Sequence, residues 1–252
     1  NVMQKDALLK GTSGAVVAIG LIVAASQVSA HTRLSVPQIN EGVRVENNVV
    51  VSHGCEGQNV IATTTVFPDG VDSTILVDGS TYEGSISDFI NWGNLNQKIL
   101  SRAVFTNEAE KYDESGSNVV GFWVRDGQSL PATYTAYFPF RTSAVVFEPA
   151  SCAKSVKVVV GIADVCKNTN MAGFTDLTVN LWTPAVGSNF DGPGLHGYNS
   201  PATLTVNRNL ASNPLDASCG DGSAVELIPS AAQLNRDMPI KNKNGSTWWP
   251  KP

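Results

Sequence analysis

Thr133-Tyr134-Thr135-Ala136-Tyr137-Phe138 is an alternating run, the pattern of a β-strand that buries one face and leaves the other to solvent. Similar runs recur on both sides of it. They cover His31 to Pro37, Val43 to Ser52, Asn59 to Phe67, Val119 to Val124, Thr133 to Arg141 and Ala144 to Phe147. Ser155 to Val165, Asp176 to Trp182 and Ala202 to Asn207 continue the series. Turn chemistry separates them, in Pro68-Asp69-Gly70, Asp78-Gly79, Arg125-Asp126-Gly127 and Asp191-Gly192-Pro193-Gly194. Many short strands divided by such turns predict an all-β fold, an immunoglobulin-like antiparallel β-sandwich with insertions and an irregular C-terminal tail.

Composition agrees. Charged residues are only 15% of the 252, and Val, Thr, Gly, Asn and Ser are plentiful. One helix is expected, over Ser87 to Phe105, where Ile90, Leu95, Ile99 and Leu100 make an apolar stripe behind a Ser87 cap. Residues 208–252 carry little periodicity and read as an extended tail able to wrap a partner. No internal repeat is evident.

The first thirty residues have the layout of a secretory signal. Lys5 and Lys10 give a positive start, Gly14 to Ala25 an apolar run, and Val28-Ser29-Ala30 the small residues a signal peptidase accepts. The second reading is a retained membrane anchor, although the run is short of the roughly 20 residues a bilayer span needs. The expected organisation is therefore a leader or anchor over 1–30, a sandwich over 31–207 and the tail over 208–252. A periplasmic or extracellular location follows, membrane-anchored if the leader stays.

The net charge is −5, and residues 31–252 are more acidic still, because the leader holds Lys5 and Lys10 against Asp6 alone. That argues against nucleic acid as a partner, which demands a basic face, and is compatible with a cation. All four cysteines, Cys55, Cys152, Cys166 and Cys219, follow the leader, and an even number in an oxidising compartment reads as two disulfides. Three pairings are open at this point. No close Cys-x-x-Cys pair suggests a thiolate metal site.

Cleavage after Ala30 would make His31 the first residue. A terminal histidine offers a metal its α-amine and its ring Nδ1 in one chelate ring, a nitrogen set that suits Cu(II). Only two other histidines exist. His53, in Ser52-His53-Gly54-Cys55, reads either as a turn residue bonded to its neighbours or as a second ligand. His196, on the loop Gly194-Leu195-His196-Gly197-Tyr198, reads as an exposed loop residue or as a ligand from a second loop. No Gly-x-Ser-x-Gly elbow is present, so hydrolase chemistry has little support.

Three blocks carry a family likeness. Ala30-His31-Thr32-Arg33-Leu34-Ser35-Val36-Pro37 precedes Ser52-His53-Gly54-Cys55-Glu56-Gly57 and Val66-Phe67-Pro68-Asp69-Gly70-Val71. Phe122-Trp123-Val124-Arg125-Asp126-Gly127-Gln128-Ser129-Leu130-Pro131 follows, with Tyr134, and then Leu181-Trp182-Thr183-Pro184 and Tyr198-Asn199-Ser200-Pro201-Ala202. This order resembles the YcnI-like family of exported copper-binding domains, across roughly residues 30–207. The likeness implies a sandwich binding one copper through the mature terminal His31, a carboxylate and a nearby Trp, which falls on Trp182. An indole beside the metal can shield it or add a cation–π contact. The acid that often stands in the family's block after Leu-Pro is missing from Tyr134-Thr135-Ala136-Tyr137. Glu41, Glu46 and Glu56 are the substitutes, and Glu46 is carried forward with His53 as a ligand. The family's disulfide implies Cys55–Cys166, leaving Cys152–Cys219; Cys55–Cys152 with Cys166–Cys219 is the alternative. Insertions near 84–117 and 167–180 exceed the usual domain. The expected function is non-enzymatic: a copper chaperone, or an accessory to a cuproenzyme or membrane-protein partner. The competing readings are a membrane-anchored subunit of a larger complex and a copper-dependent oxygenase.

Overall fold

The computed structural model describes residues 31–93 and 95–252; the leader or anchor expected over 1–30 lies outside the described residues. The strands are β1 (Arg33–Leu34), β2 (Gln38–Asn40), β3 (Val45–Val51), β4 (Val60–Val66), β5 (Thr74–Val77) and β6 (Ser80–Thr81). Next come β7 (Asn96–Lys98), β8 (Phe105–Tyr112), β9 (Val119–Leu130), β10 (Ala136–Thr142) and β11 (Ala153–Val165). β12 (Val179–Trp182), β13 (Ala202–Asn207), β14 (Ser223–Ile228), the helix α1 (Ala231–Asp237), β15 (Ile240–Lys241) and β16 (Thr247–Trp249) complete the order.

Two sheets form the sandwich. The smaller runs β1-β3-β10-β7 and the larger β6-β5-β14-β11-β4-β9-β8. β11 is the spine of the larger sheet. Its first half pairs with β13 and β14, and its second half with β12 and β4. Most pairings are antiparallel, while β14 on β11 and β2 on β13 are parallel.

Strand geometry puts successive side chains on opposite faces, and both faces of the large sheet are covered. Val156, Val158, Val160 and Ile162 of β11, with Phe122 and Val124 of β9, face the small sheet in the main core. Phe140 of β10 joins the layers there, its ring 5.6 Å from those of Phe67 and Phe122. The intervening Trp123, Ala163, Val165 and Leu181 point the other way, into a second core closed by Leu234, Met238, Ile240 and Trp249. A buried aliphatic or aromatic side chain contributes about 1.5–3 kcal/mol, so each layer is a substantial share of the stability.

The C-terminal expectation is corrected. Residues 208–252 are not an extended tail: β14 inserts between β5 and β11, and α1 with β15 and β16 caps the second core. Arg208, 6% exposed, fixes the start by donating to the carbonyls of Ser151, Ala153 and Pro149. Alternation in β14 is confined to Val225 and Leu227, too short a signal to register by period. The helix expected over Ser87 to Phe105 is absent as well. A single 3-10 turn, Ile86–Asp88, is capped by Ser85, after which Ile90 bridges to Phe147 and β7 pairs with β10. Asn91, Gly93 and Asn96 weaken helix, and β-pairing wins. Ala144 to Phe147 makes that one bridge rather than a strand. Arg125-Asp126-Gly127 is no chain reversal but an irregularity inside β9, with Asp126 at φ 63° and Gly127 at φ 85°.

The disulfides are Cys55–Cys166, with S–S 2.00 Å, and Cys152–Cys219, with S–S 1.98 Å. Both pairs are those the family likeness implies, and they fit an oxidising compartment. Among the described residues no helix is long and apolar enough to cross a membrane.

Candidate metal centre

The inward row of β11 runs apolar from Val156 to Ile162 and then changes chemistry: Asp164 comes next on the same face, and Cys166 follows. Asp164 is fully buried. It lies directly opposite Thr63 of β4 and diagonally from Trp182 of β12, whose register partner is Ile162. Its carboxylate accepts from Trp182 Nε1 at 2.7 Å, Thr63 Oγ1 at 2.9 Å and Thr32 Oγ1 at 2.5 Å. Burial pushes the Asp164 carboxyl above the usual range, partly opposed by these three donors. The acid thus joins the residue after His31 to the buried indole, across 132 positions of sequence.

Trp182, 1% exposed, is the hub. The ring of His31 lies 5.0 Å from its indole, that of His196 4.9 Å and that of His53 6.2 Å. His53 and His196 are themselves 5.3 Å apart. All three histidines of the chain therefore gather at one indole.

Each histidine is set in place by local backbone. Thr32 and β1 hold His31, with Leu34 anchored in the main core and paired with Val49. His53 follows β3 where Gly54 N donates to Ala132 O at 2.9 Å and Cys55 is tied to Cys166. A Cβ on Gly54 would meet Gln58 O at 1.8 Å, so that turn requires glycine. His196 hangs on the loop after β12: Leu181 N donates to its carbonyl at 2.9 Å, and its own N–H donates to Asp176 Oδ1 at 2.8 Å. Gly197, at φ 95°, lets that loop press onto Leu181. Burial, then the neighbouring His53, lowers the His196 pKa, with Asp176 opposing.

The tautomer of His53 is readable. Its Nδ1 is 2.5 Å from Gly54 O, and a carbonyl only accepts, so Nδ1 carries the proton. Nε2 then presents its lone pair. That atom is buried and, among the described residues, has no hydrogen-bond partner. A ring whose far nitrogen is fixed by a backbone carbonyl is the arrangement of a metal-bound imidazole.

Of the expected ligands, the structure brings His31, Trp182 and His53 together. Glu46 it does not: it is exposed on β3 opposite Arg141. Glu41 is occupied elsewhere, accepting from Phe147 N, Asn209 N and Asn213 Nδ2. Glu56 lines a groove of about 330 Å³ with His53 and His196. The carboxylate that reaches the indole is Asp164, which the sequence reading passed over. Among the described residues no group of three or more His, Cys, Asp or Glu side chains has metal-holding geometry. The nitrogen donors suit copper, yet side chains alone do not close a cage around it.

These features define an all-β sandwich with a histidine–indole cluster at one end. No protein-family model matches the chain, and no curated protein matches it. A solved structure from Nocardia farcinica, described as an uncharacterized protein with an immunoglobulin-like fold, is similar at 14% identity and a TM-score of 0.39. The match covers 71% of this chain and 99% of that one, a superposition too loose to carry an argument.

Proposed function

We propose that this is an exported copper-binding protein, a chaperone or an accessory to a cuproenzyme, which takes the metal at the mature terminus created by cleavage after Ala30. The observation that carries the reading is the convergence of His31, His53 and His196 on Trp182. Copper bound there would supply a cation with a strong preference for nitrogen donors. His31 contributes the chelating amine and ring, which is why the side chains need not form a complete cage by themselves. Thr32, bonded to Asp164, fixes the direction in which His31 leaves β1. Trp182, at the centre of the three rings, would shield a bound cation from the core and could add a cation–π contact. Glu46 has no part in this proposal, and Asp164 takes the place of the carboxylate as the group that orients the indole and the first strand.

The test is a Cu(II) titration followed by EPR on protein whose first residue is His31. The expected result is one nitrogen-coordinated Cu(II) per chain, lost in His31→Ala and lost when Ala30 is retained to block the amine. An unchanged spectrum in both variants overturns the proposal.

A further inference from the structure

We infer that His53 and His196 form a second arm of this centre, a two-imidazole site that holds Cu(I) without help from the His31 amine. The inference deepens the copper reading of the same site but needs no released terminus. Three observations on the two rings carry it. First, His53 Nε2 presents a lone pair sealed from water and, among the described residues, without a partner. A buried acceptor of this kind is costly unless something fills it. A bare cation, smaller than a water molecule, can reach an atom that water cannot.

Second, the His196 ring is the imidazole set against it, at 5.3 Å between centroids and 66° between planes. A metal bonded to two imidazole nitrogens at about 2 Å each holds those nitrogens within about 4 Å of one another, which rotation of the exposed His196 ring can supply. Both loops are pinned, His53 by the Cys55–Cys166 bond and His196 by the Leu181 and Asp176 hydrogen bonds, so the pair is held near its working geometry.

Third, two neutral nitrogens are a complete set for Cu(I), which accepts two ligands in line. Zn(II) wants four, and Cu(II) a square array. The indole of Trp182 flanks both rings and adds a π face for a soft monovalent cation. His196 also borders the open groove with Glu56 and Thr133, giving the ion a way in and out.

The experiment uses chain that retains Ala30 ahead of His31, titrated with Cu(I) without oxygen against a chromophoric Cu(I) chelator, with X-ray absorption reading the ligand set. Expected are one Cu(I) with two imidazole nitrogens, and an affinity lowered by about tenfold or more in His53→Ala and in His196→Asn. Because His196 is exposed, His196→Asn keeps the fold, and a thermal melt beside each titration confirms it. Equal Cu(I) affinity in His196→Asn and the parent, or displacement of Cu(I) by equimolar Zn(II), overturns the inference. Failure here leaves intact the Cu(II) EPR signal that depends on the His31 terminus, whereas failure of the copper reading, an EPR spectrum unchanged in His31→Ala and with Ala30 retained, leaves the Cu(I) result standing.

Discussion

Asp164 is a fully buried ionisable group and Lys111 a half-buried one, and each is held by neutral partners, yet they do opposite things at the two faces of one sheet. Asp164, facing the main core, gathers three donors: two hydroxyls and an indole N–H. Lys111, on β8 beside the second core, donates to the carbonyls of Asp237, Met238 and Pro239 just beyond α1. The Asp237 carbonyl, in the last turn of α1, is one that a helix end leaves unsatisfied. One group ties the N-terminal strand to the site; the other ties the C-terminal helix to the sheet. Burial pushes the carboxyl up and the ammonium down to about 7. The contrast teaches that in this molecule a shielded ionisable group serves, through its hydrogen bonds, as a fastening between elements far apart in sequence.

The harshest way to break the comparison is Asp164→Ala, which leaves three donors facing no acceptor. Urea unfolding should register a loss of about 3 kcal/mol or more, while Asp164→Asn, which keeps an acceptor oxygen, should lose about 1 kcal/mol. Equal losses would mean that charge rather than hydrogen bonding holds the site.

At the other fastening, pH is the sharper tool. Below about 7 Lys111 is protonated in both states, so the full burial penalty stands. Between about 7 and 10.5 the native group is neutral while the unfolded one keeps its proton. The unfolded chain then binds more protons, and stability rises with pH. Melting followed from pH 6.5 to 9.5 should show this climb, worth on the order of a few kcal/mol, and Lys111→Met should flatten it. A slope unchanged in the variant assigns the effect elsewhere, with Lys98, whose pKa burial also lowers, as the next group to replace.

The mildest probe is Ser230→Ala. Ser230 Oγ accepts from Gln233 N at 2.9 Å at the start of α1, and losing such a cap costs about 1 kcal/mol. Hydrogen exchange should quicken in α1 and leave β11 unaffected. Faster exchange around Asp164 would show that the two faces are coupled.

Much of the sandwich was legible because its strands are long enough for period two to stand out, as in Ser155 to Val165. Within that same run Asp164 was a signal left unused: an acid on the inward parity of a buried strand has to find donors, and those donors mark the site. His196 looked like a loop residue because it is one; only the folding of that loop across β12 carries its ring to Trp182. Glu46 failed because strand β3 holds it beside Arg141, and sequence distance from His31 says nothing of that register. The C-terminal elements were hidden by their brevity, although Ser230-Ala231-Ala232-Gln233 has the Ser-x-x-Gln spacing of a helix start.

The place of β14 has a consequence for how the molecule comes into being. It is an interior plank, with β5 on one side and β11 on the other, supplied by the chain only after both of them. No fragment emerging from the ribosome can therefore finish the large layer, and β5 and β6 must wait for a neighbour still to be synthesised.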